Sequence, residues 1–206
     1  MPLQNRVSPA GVITAISSRG SLMGNRGILH DENKELKAVS KIKGWVTCHL
    51  EYKGRKRELM AKNRYTELFF LDEVTAFAAG HRPCAECRRE RYNEFKTKWL
   101  EANSKLLNGE KESITNIDNI LHKERIDKTR KVTFNVSIDI LPTGAMIKIE
   151  EQIYLLWENR LYLWSFDGYE KTNIIIKSQL VEVLTPYTYI KMFQKGFKPD
   201  VHSSVE

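Results

Sequence analysis

Two cysteines three positions apart constrain this chain more than any other feature. Cys84 and Cys87 form a Cys-x-x-Cys motif that follows Gly80 and Pro83. The spacing lets two thiolates bind one tetrahedral ion while nearby backbone amides donate to the sulfurs. A redox Cys-x-x-Cys motif normally opens a helix after a strand of a parallel α/β unit. This motif instead follows a short predicted helix, which favours a zinc site over a redox site.

A structural zinc site needs more than two ligands. Cys48 is the third of the chain's 3 cysteines, and an odd count fits no disulfide framework. We therefore predict Cys48 as the third ligand and His30, in an irregular Gly-rich segment, as the fourth. His49 and His81 are the alternatives. His49 adjoins Cys48, and adjacent strand residues point to opposite faces, whereas His81 would crowd the motif.

Positive charge is concentrated in the first half of the chain. The 206 residues carry 33 Lys and Arg against 26 Asp and Glu, a net charge of +7. Residues 1–105 hold 20 basic and 12 acidic side chains, and residues 106–206 hold 13 and 14. The densest cluster, here called the basic loop, spans residues 53–64 between Tyr52 and Tyr65.

Basic clusters with aromatic neighbours are typical of nucleic-acid contacts. The simpler alternative interpretation is that the basic loop is a solvated hairpin tip without a ligand. Arg91 adds support from the helix that follows the Cys-x-x-Cys motif. The predicted phosphate contacts are Lys53, Arg55, Lys56, Arg57, Arg64, Arg88 and Arg89.

Apolar periodicity predicts an α+β chain in two domains, residues 1–107 and 114–206. The first is predicted as a zinc-stabilised, treble-clef-like module. Its predicted order is a strand over 45–52, a basic hairpin returning over 57–61, the cysteine motif and then a long helix. Asp72 is the expected N-cap of the short helix before the motif. The second is predicted as helices with a small antiparallel β-sheet or barrel, with strands near 132–138, 146–149, 152–157, 161–166 and 180–184.

The segment Phe70–Cys87, FLDEVTAFAAGHRPCAEC, resembles the metal-binding module of Ada-type DNA-repair proteins. The shared elements are an aromatic strand, an acidic helix start, and Ala-Gly, Arg-Pro and Cys-x-x-Cys in register. With Cys48 included, the resemblance covers residues of about 45–90. It implies that Cys48, Cys84 and Cys87 bind zinc and that DNA is preferred over RNA. The whole chain also resembles a bacterial protein family of about this length, which implies no particular activity.

Two other function classes stay open. An enzyme acting on nucleic acid or nucleotides could use residues 19–31, where Arg26 can hold a phosphate and His30 can transfer a proton. Alternatively, zinc could hold together a protein-interaction module. The N-terminus lacks a secretory pattern and no stretch is apolar for 18 residues, so we expect a cytoplasmic protein without a membrane partner.

Overall fold

Two six-stranded sheets and the helices between them form an α+β fold, which confirms the predicted mixture of helices and sheets. The computed structural model describes residues 1–54 and 58–205. The first sheet has the order β2-β1-β5-β3-β4-β6 and is mixed, because β1 runs parallel to β5 and β4 runs parallel to β6. Its strands are β1 (Gln4–Val7), β2 (Ile13–Ala15), β3 (Leu22–Asn25), β4 (Val46–His49), β5 (Leu68–Phe70) and β6 (Arg82–Pro83).

One short helix lies between β5 and β6, and further helices and one small hairpin follow the first sheet. Asp72 caps the first helix, because its Oδ1 accepts a hydrogen bond from the Thr75 amide at 2.8 Å, as the sequence predicts. The elements are α1 (Glu73–Ala78), α2 (Arg89–Asn103), a 3₁₀ helix (Ser104–Leu107), α3 (Ile114–Arg125), and the hairpin strands β7 (Ile126–Asp127) and β8 (Arg130–Lys131).

The second sheet is antiparallel throughout, with β13 and β9 at its edges. A short 3₁₀ helix, Ile138–Ile140, follows its first strand, and the helix α4 (Tyr187–Gln194) follows its last. Its strands are β9 (Phe134–Ser137), β10 (Ala145–Ile149), β11 (Gln152–Trp157), β12 (Arg160–Ser165), β13 (Gly168–Lys171) and β14 (Leu180–Val183).

One apolar core is shared by both halves of the chain. Phe77 of α1 contacts the rings of Phe95, Tyr189, Phe193 and Phe197, with ring centroids 5.0 to 6.2 Å apart. The two predicted domains, 1–107 and 114–206, thus contribute side chains to the same core, and their independence stays a prediction. Across residues 1–54 and 58–205, no helix has the length and apolar content needed to cross a membrane.

The predicted basic hairpin is wrong in its described part. Strand β4 pairs with β3 and β6, and residues 58–61 form no strand. Met60 and Asn63 adopt positive φ angles of 52° and 60°, which interrupt extended backbone. The Met60 amide donates to Glu67 Oε2 at 2.8 Å and holds this turn in place. Residues 58–65 therefore follow an irregular path.

Candidate metal centre

The thiols of Cys48, Cys84 and Cys87 lie within 4.8 Å of one another. Cys48 lies in β4, and the other two occupy the turn between β6 and α2. The parallel pairing of β4 with β6 places Thr47 beside Pro83, and the Cys84 amide continues the ladder by donating to the Thr47 carbonyl at 2.9 Å. This register brings the third thiol to the motif, so the three together can hold a metal ion.

Backbone amides surround the sulfurs. The Glu86 amide donates to Cys84 Sγ at 3.4 Å. A hydrogen bond from the Cys48 thiol, followed by the amides of Cys87 and Glu86, lowers the pKa of Cys84 to about 5. Hydrogen bonding to Cys84 and burial raise the pKa of Cys48, and burial raises the pKa of Cys87. Cys84 is therefore the thiol that ionises first in the cluster.

A buried ionic network packs against the turn that contains Cys84 and Cys87. Arg88 donates to Thr47 Oγ1 at 2.9 Å and to Glu73 Oε1 at 2.6 Å. Arg91 also donates to the Glu73 carboxylate, at 3.1 Å from its Nε, and its Nη2 reaches the Lys198 carbonyl at 2.7 Å. The assignment of Arg88 as a phosphate contact is therefore wrong, because its side chain is 5% exposed and its guanidinium is paired inside the protein.

The structure does not bring His30 to the thiols. His30 is buried, with Nδ1 2.6 Å from Thr66 Oγ1 and Nε2 3.3 Å from the Ala61 carbonyl. Within the described part of the chain, the group of close metal-ligating atoms around Cys84 contains thiols alone. The expectation of His30 as fourth ligand is thus not met, because hydrogen bonds hold the ring in another part of the fold.

The two alternative histidines differ in their surroundings. His49 is exposed and lines a surface groove with Cys87, and its amide donates to the Cys87 sulfur. His81 is fully buried between the rings of Trp45 and Phe70, with centroids 5.3 and 4.6 Å away. Of these two, His49 has its main chain beside Cys87, and neither ring belongs to the described group of close metal-ligating atoms.

Part of the basic loop lies next to the cysteine turn. Lys53 is exposed and lies over the Tyr52 ring, and the Tyr52 hydroxyl donates to the Glu86 carbonyl at 3.4 Å. Arg64 and Arg89 are also exposed. The other predicted contacts of the loop, Arg55, Lys56 and Arg57, lie outside the described residues.

Arg26, the other residue proposed for catalysis, has no described contact with His30. It follows β3 and is 3% exposed, with its guanidinium carbon 4.2 Å from the centre of the Trp45 ring. Its Nε donates to His81 Nε2 at 3.3 Å. Arg125 approaches the same Trp45 ring at 5.4 Å. No sequence signal links these residues to one another, because they are far apart in the chain.

No family model, curated protein or solved structure matches the chain. The resemblance to the Ada-type module therefore depends on the motif residues themselves.

Proposed function

We propose that this protein is a zinc-binding, nucleic-acid-binding protein. Cys48, Cys84 and Cys87 hold the ion, and exposed basic residues beside that centre contact phosphates. The observation that carries the proposal is the convergence of three thiols, distant in sequence, to within 4.8 Å of one another. The Ada-type resemblance of residues 70–87 supports both parts and favours DNA as the nucleic acid.

The chemistry of the donors supports zinc. Thiolates are the preferred ligands of structural zinc, and Zn–S bonds of about 2.3 Å at tetrahedral angles separate the sulfurs by about 3.8 Å. The observed thiols need only a small adjustment to reach that spacing. The order of strand β4, cysteine turn and helix α2 supports a treble-clef-like unit around the ion.

The fourth coordination position is assigned to His49 or to a solvent-derived ligand. His49 lines the groove that contains Cys87, and its exposed ring is free of the hydrogen bonds that hold His30. A solvent ligand would leave the ion open to a substrate, as in catalytic zinc sites. Either assignment keeps the three thiolates as the protein's main contribution.

The nucleic-acid surface is smaller than the sequence pattern predicts. Arg88 and Arg91 are engaged by Glu73, so the described phosphate contacts are reduced to Lys53, Arg64 and Arg89. Lys53 is tied to the cysteine turn through Tyr52, and Arg89 opens the helix that follows it. Lys53 and Arg89 would thus place two cations beside the metal centre, where a phosphate backbone could lie.

Metal analysis tests the first part. Wild-type protein purified without added chelator should contain about one zinc per chain, whereas Cys84→Ser should lose it, because two thiolates rarely suffice for a structural site. His49→Ala should weaken zinc binding if the ring is a ligand and leave it unchanged if solvent fills that position. Equal zinc content in wild type and Cys84→Ser would reject the centre.

A titration at two salt concentrations tests the second part. Replacing Lys53, Arg64 and Arg89 together by Ala should weaken binding to duplex DNA. The slope of log K against log salt concentration should become less steep, by about 0.9 for each phosphate that is no longer neutralised. Replacing three exposed lysines of the other half, Lys171, Lys177 and Lys195, is the matched control. If the protein retains zinc but shows no salt-sensitive binding to DNA or RNA, the result would favour the protein-interaction module instead.

A further inference from the structure

A cavity of about 670 Å³ lies apart from the three thiols. It opens between the β1–β2 hairpin, residues 36–39 and the β7–β8 hairpin. Val12, Leu36 and Ile126 contribute apolar walls. Small-molecule sites commonly enclose about 300–1,000 Å³, so the cavity is large enough for a compact organic ligand.

The ionisable side chains that line this cavity are all lysines or arginines. In the part of the chain that the structure describes, no Asp or Glu belongs to the lining. Lysines and arginines close together in a partly desolvated space repel one another unless an anion lies between them. The cationic lining residues are Arg26, Lys37, Arg125, Arg130 and Lys131.

Arg26 is one of the two most deeply buried of these cations, with Arg125, and it is the least compensated. It is 3% exposed, and no ion pair of the described residues includes it. Its Nη1 donates to the Gly11 carbonyl at 3.3 Å, while its Nη2 has no hydrogen-bond partner. Burial, with a contribution from Arg125, lowers the pKa of Arg26 to about 9. A buried donor without a partner is costly to the fold, which points to a group that is supplied from outside.

The carboxylate that contacts Arg125, that of Asp118, is already paired with Arg82, and Lys131 donates to a backbone carbonyl. Arg125 Nη2 lies 3.4 Å from Asp118, whose two oxygens accept from Arg82 at 3.0 and 2.7 Å. Arg125 Nε has no partner. The half-buried Lys131 donates to the Ala78 carbonyl at 2.6 Å. Burial and then Arg26 lower the pKa of Lys131 to about 7, with Glu182 acting in the opposite direction.

Neutral His81 fixes the direction of the Arg26 guanidinium. Burial, together with Arg26 and Arg125, holds the pKa of His81 well below its ordinary value, so its Nε2 acts as an acceptor. It accepts from Arg26 Nε at 3.3 Å, and Trp45 supports the guanidinium plane from one side. The unpartnered Nη2 is therefore held in one orientation before any ligand arrives, which reduces the ordering needed on binding.

We propose that this cavity binds a small organic phosphate. The phosphate lies against Arg26, Arg125 and Lys131, and the less polar body of the ligand lies along Val12, Leu36 and Ile126. A phosphate dianion offsets several cations at once, and guanidinium groups match its oxygens in pairs. The inference is independent of the zinc and nucleic-acid proposals, because none of the three cysteines lines the cavity.

Calorimetric titration of the full-length protein tests the site, with AMP, adenosine and inorganic phosphate as probes at matched ionic strength. AMP should bind and adenosine should not. Inorganic phosphate should bind more weakly than AMP, because it makes no contact with the apolar walls. These three titrations use the wild type and need no variant.

Variants then locate the binding. Lys131→Met should weaken AMP binding about tenfold or more, the loss expected for one charge-assisted hydrogen bond. Lys128→Met is the matched control, because Lys128 lies on the same hairpin outside the cavity lining, and it should bind AMP as the wild type does. Arg26→Gln serves as a second variant, with circular dichroism to establish that each variant folds.

Three results would overturn the proposal. Absence of binding by both AMP and inorganic phosphate would remove the anion site. Equal binding of AMP by Lys131→Met and Lys128→Met would place the ligand elsewhere. Equal affinity for AMP and adenosine would show that the phosphate is not what the protein recognises.

Discussion

Each thiol of the proposed zinc centre is held by a different piece of backbone. Cys48 is placed by the pairing of β4 with β3, and Cys84 by the hydrogen bond that its amide donates to the Thr47 carbonyl. The Cys87 sulfur accepts a hydrogen bond from the His49 amide. Because these contacts all involve the main chain, the cluster depends on strand register more than on the identity of neighbouring side chains.

Replacing His30 separates its structural role from the predicted metal role. His30→Ala should keep about one zinc per chain and lower the free energy of unfolding by about 1–2 kcal/mol. The loss arises because the hydrogen bonds with Thr66 and Ala61 disappear. Metal analysis and urea denaturation measure the two quantities, with Cys84→Ser as the variant that loses the ion. Zinc loss in His30→Ala would restore it as a ligand.

The desolvated ammonium of Lys131 should make stability depend on pH. An unfolded lysine titrates near pH 10.4, whereas the pKa of Lys131 in the fold is about 7. Between these values the unfolded chain binds more protons, so this group makes the free energy of unfolding rise with pH.

Lys131→Met should therefore flatten the dependence of stability on pH between about pH 7 and pH 10. Urea denaturation of wild type, Lys131→Met and Lys128→Met at several pH values measures the difference. The control should retain the wild-type slope. Parallel curves for wild type and Lys131→Met would contradict the lowered pKa.

At the scale of elements, helix α1 is joined to α2 by ions as well as by apolar packing. Glu73 at the start of α1 is 1% exposed and pairs with Arg88 and Arg91 around the start of α2. It also accepts from the Asp200 amide at 2.9 Å, which ties the C-terminal segment to both helices. The pair of helices that flanks the cysteine turn is thus fixed by one carboxylate.

Glu73→Gln should lower the free energy of unfolding by about 3–5 kcal/mol, because two guanidinium groups lose their counter-charge. Glu101→Gln is the control, since it breaks an exposed i,i+3 pair with Lys98 and should change stability by about 0.5 kcal/mol or less. Equilibrium chemical denaturation compares the two variants. Similar losses in both would mean that the buried network contributes little.

Local signals are sufficient where one residue type determines the backbone. Asp72 caps α1 as its position predicts, and β11 spans Gln152–Trp157, the predicted residues. In α2 the apolar side chains of Phe95 and Trp99, four residues apart, are both buried, but the chain tightens into a 3₁₀ helix after Asn103. That change of period buries Leu107, not Leu106.

Non-local pairing cannot be predicted from local patterns. Strand β4 pairs with β3 and β6, which lie far from it in the chain, whereas alternation and a glycine turn predict a local hairpin. The burial of Arg88 is hidden for the same reason. Its charge favours solvent, and its partner Glu73 is recognised only when α1 and α2 are placed side by side. Charge counts in the sequence therefore overestimate how many cations lie exposed at the surface.

For the whole molecule, the decisive feature is the core that the two predicted domains share. It combines side chains that precede the linker at 108–113 with side chains that follow it. In the full chain each segment covers aromatic side chains of the other, and exposed aromatic clusters are strongly unfavourable. Its members are Phe77, Phe95, Trp99, Leu107, Ile117, Leu121, Tyr189, Met192, Phe193 and Phe197.

The full chain should therefore unfold in one transition, with tryptophan fluorescence and far-UV circular dichroism giving the same midpoint. A fragment of residues 1–107 retains all three cysteines but lacks the cover that Tyr189 and Phe193 give to Phe77. We expect it to show no cooperative transition, even with zinc added. The fragment of residues 114–206 serves as the reciprocal test. If 1–107 binds zinc and unfolds cooperatively, the metal centre supports a self-sufficient domain, and the shared aromatic core is an interface between two units.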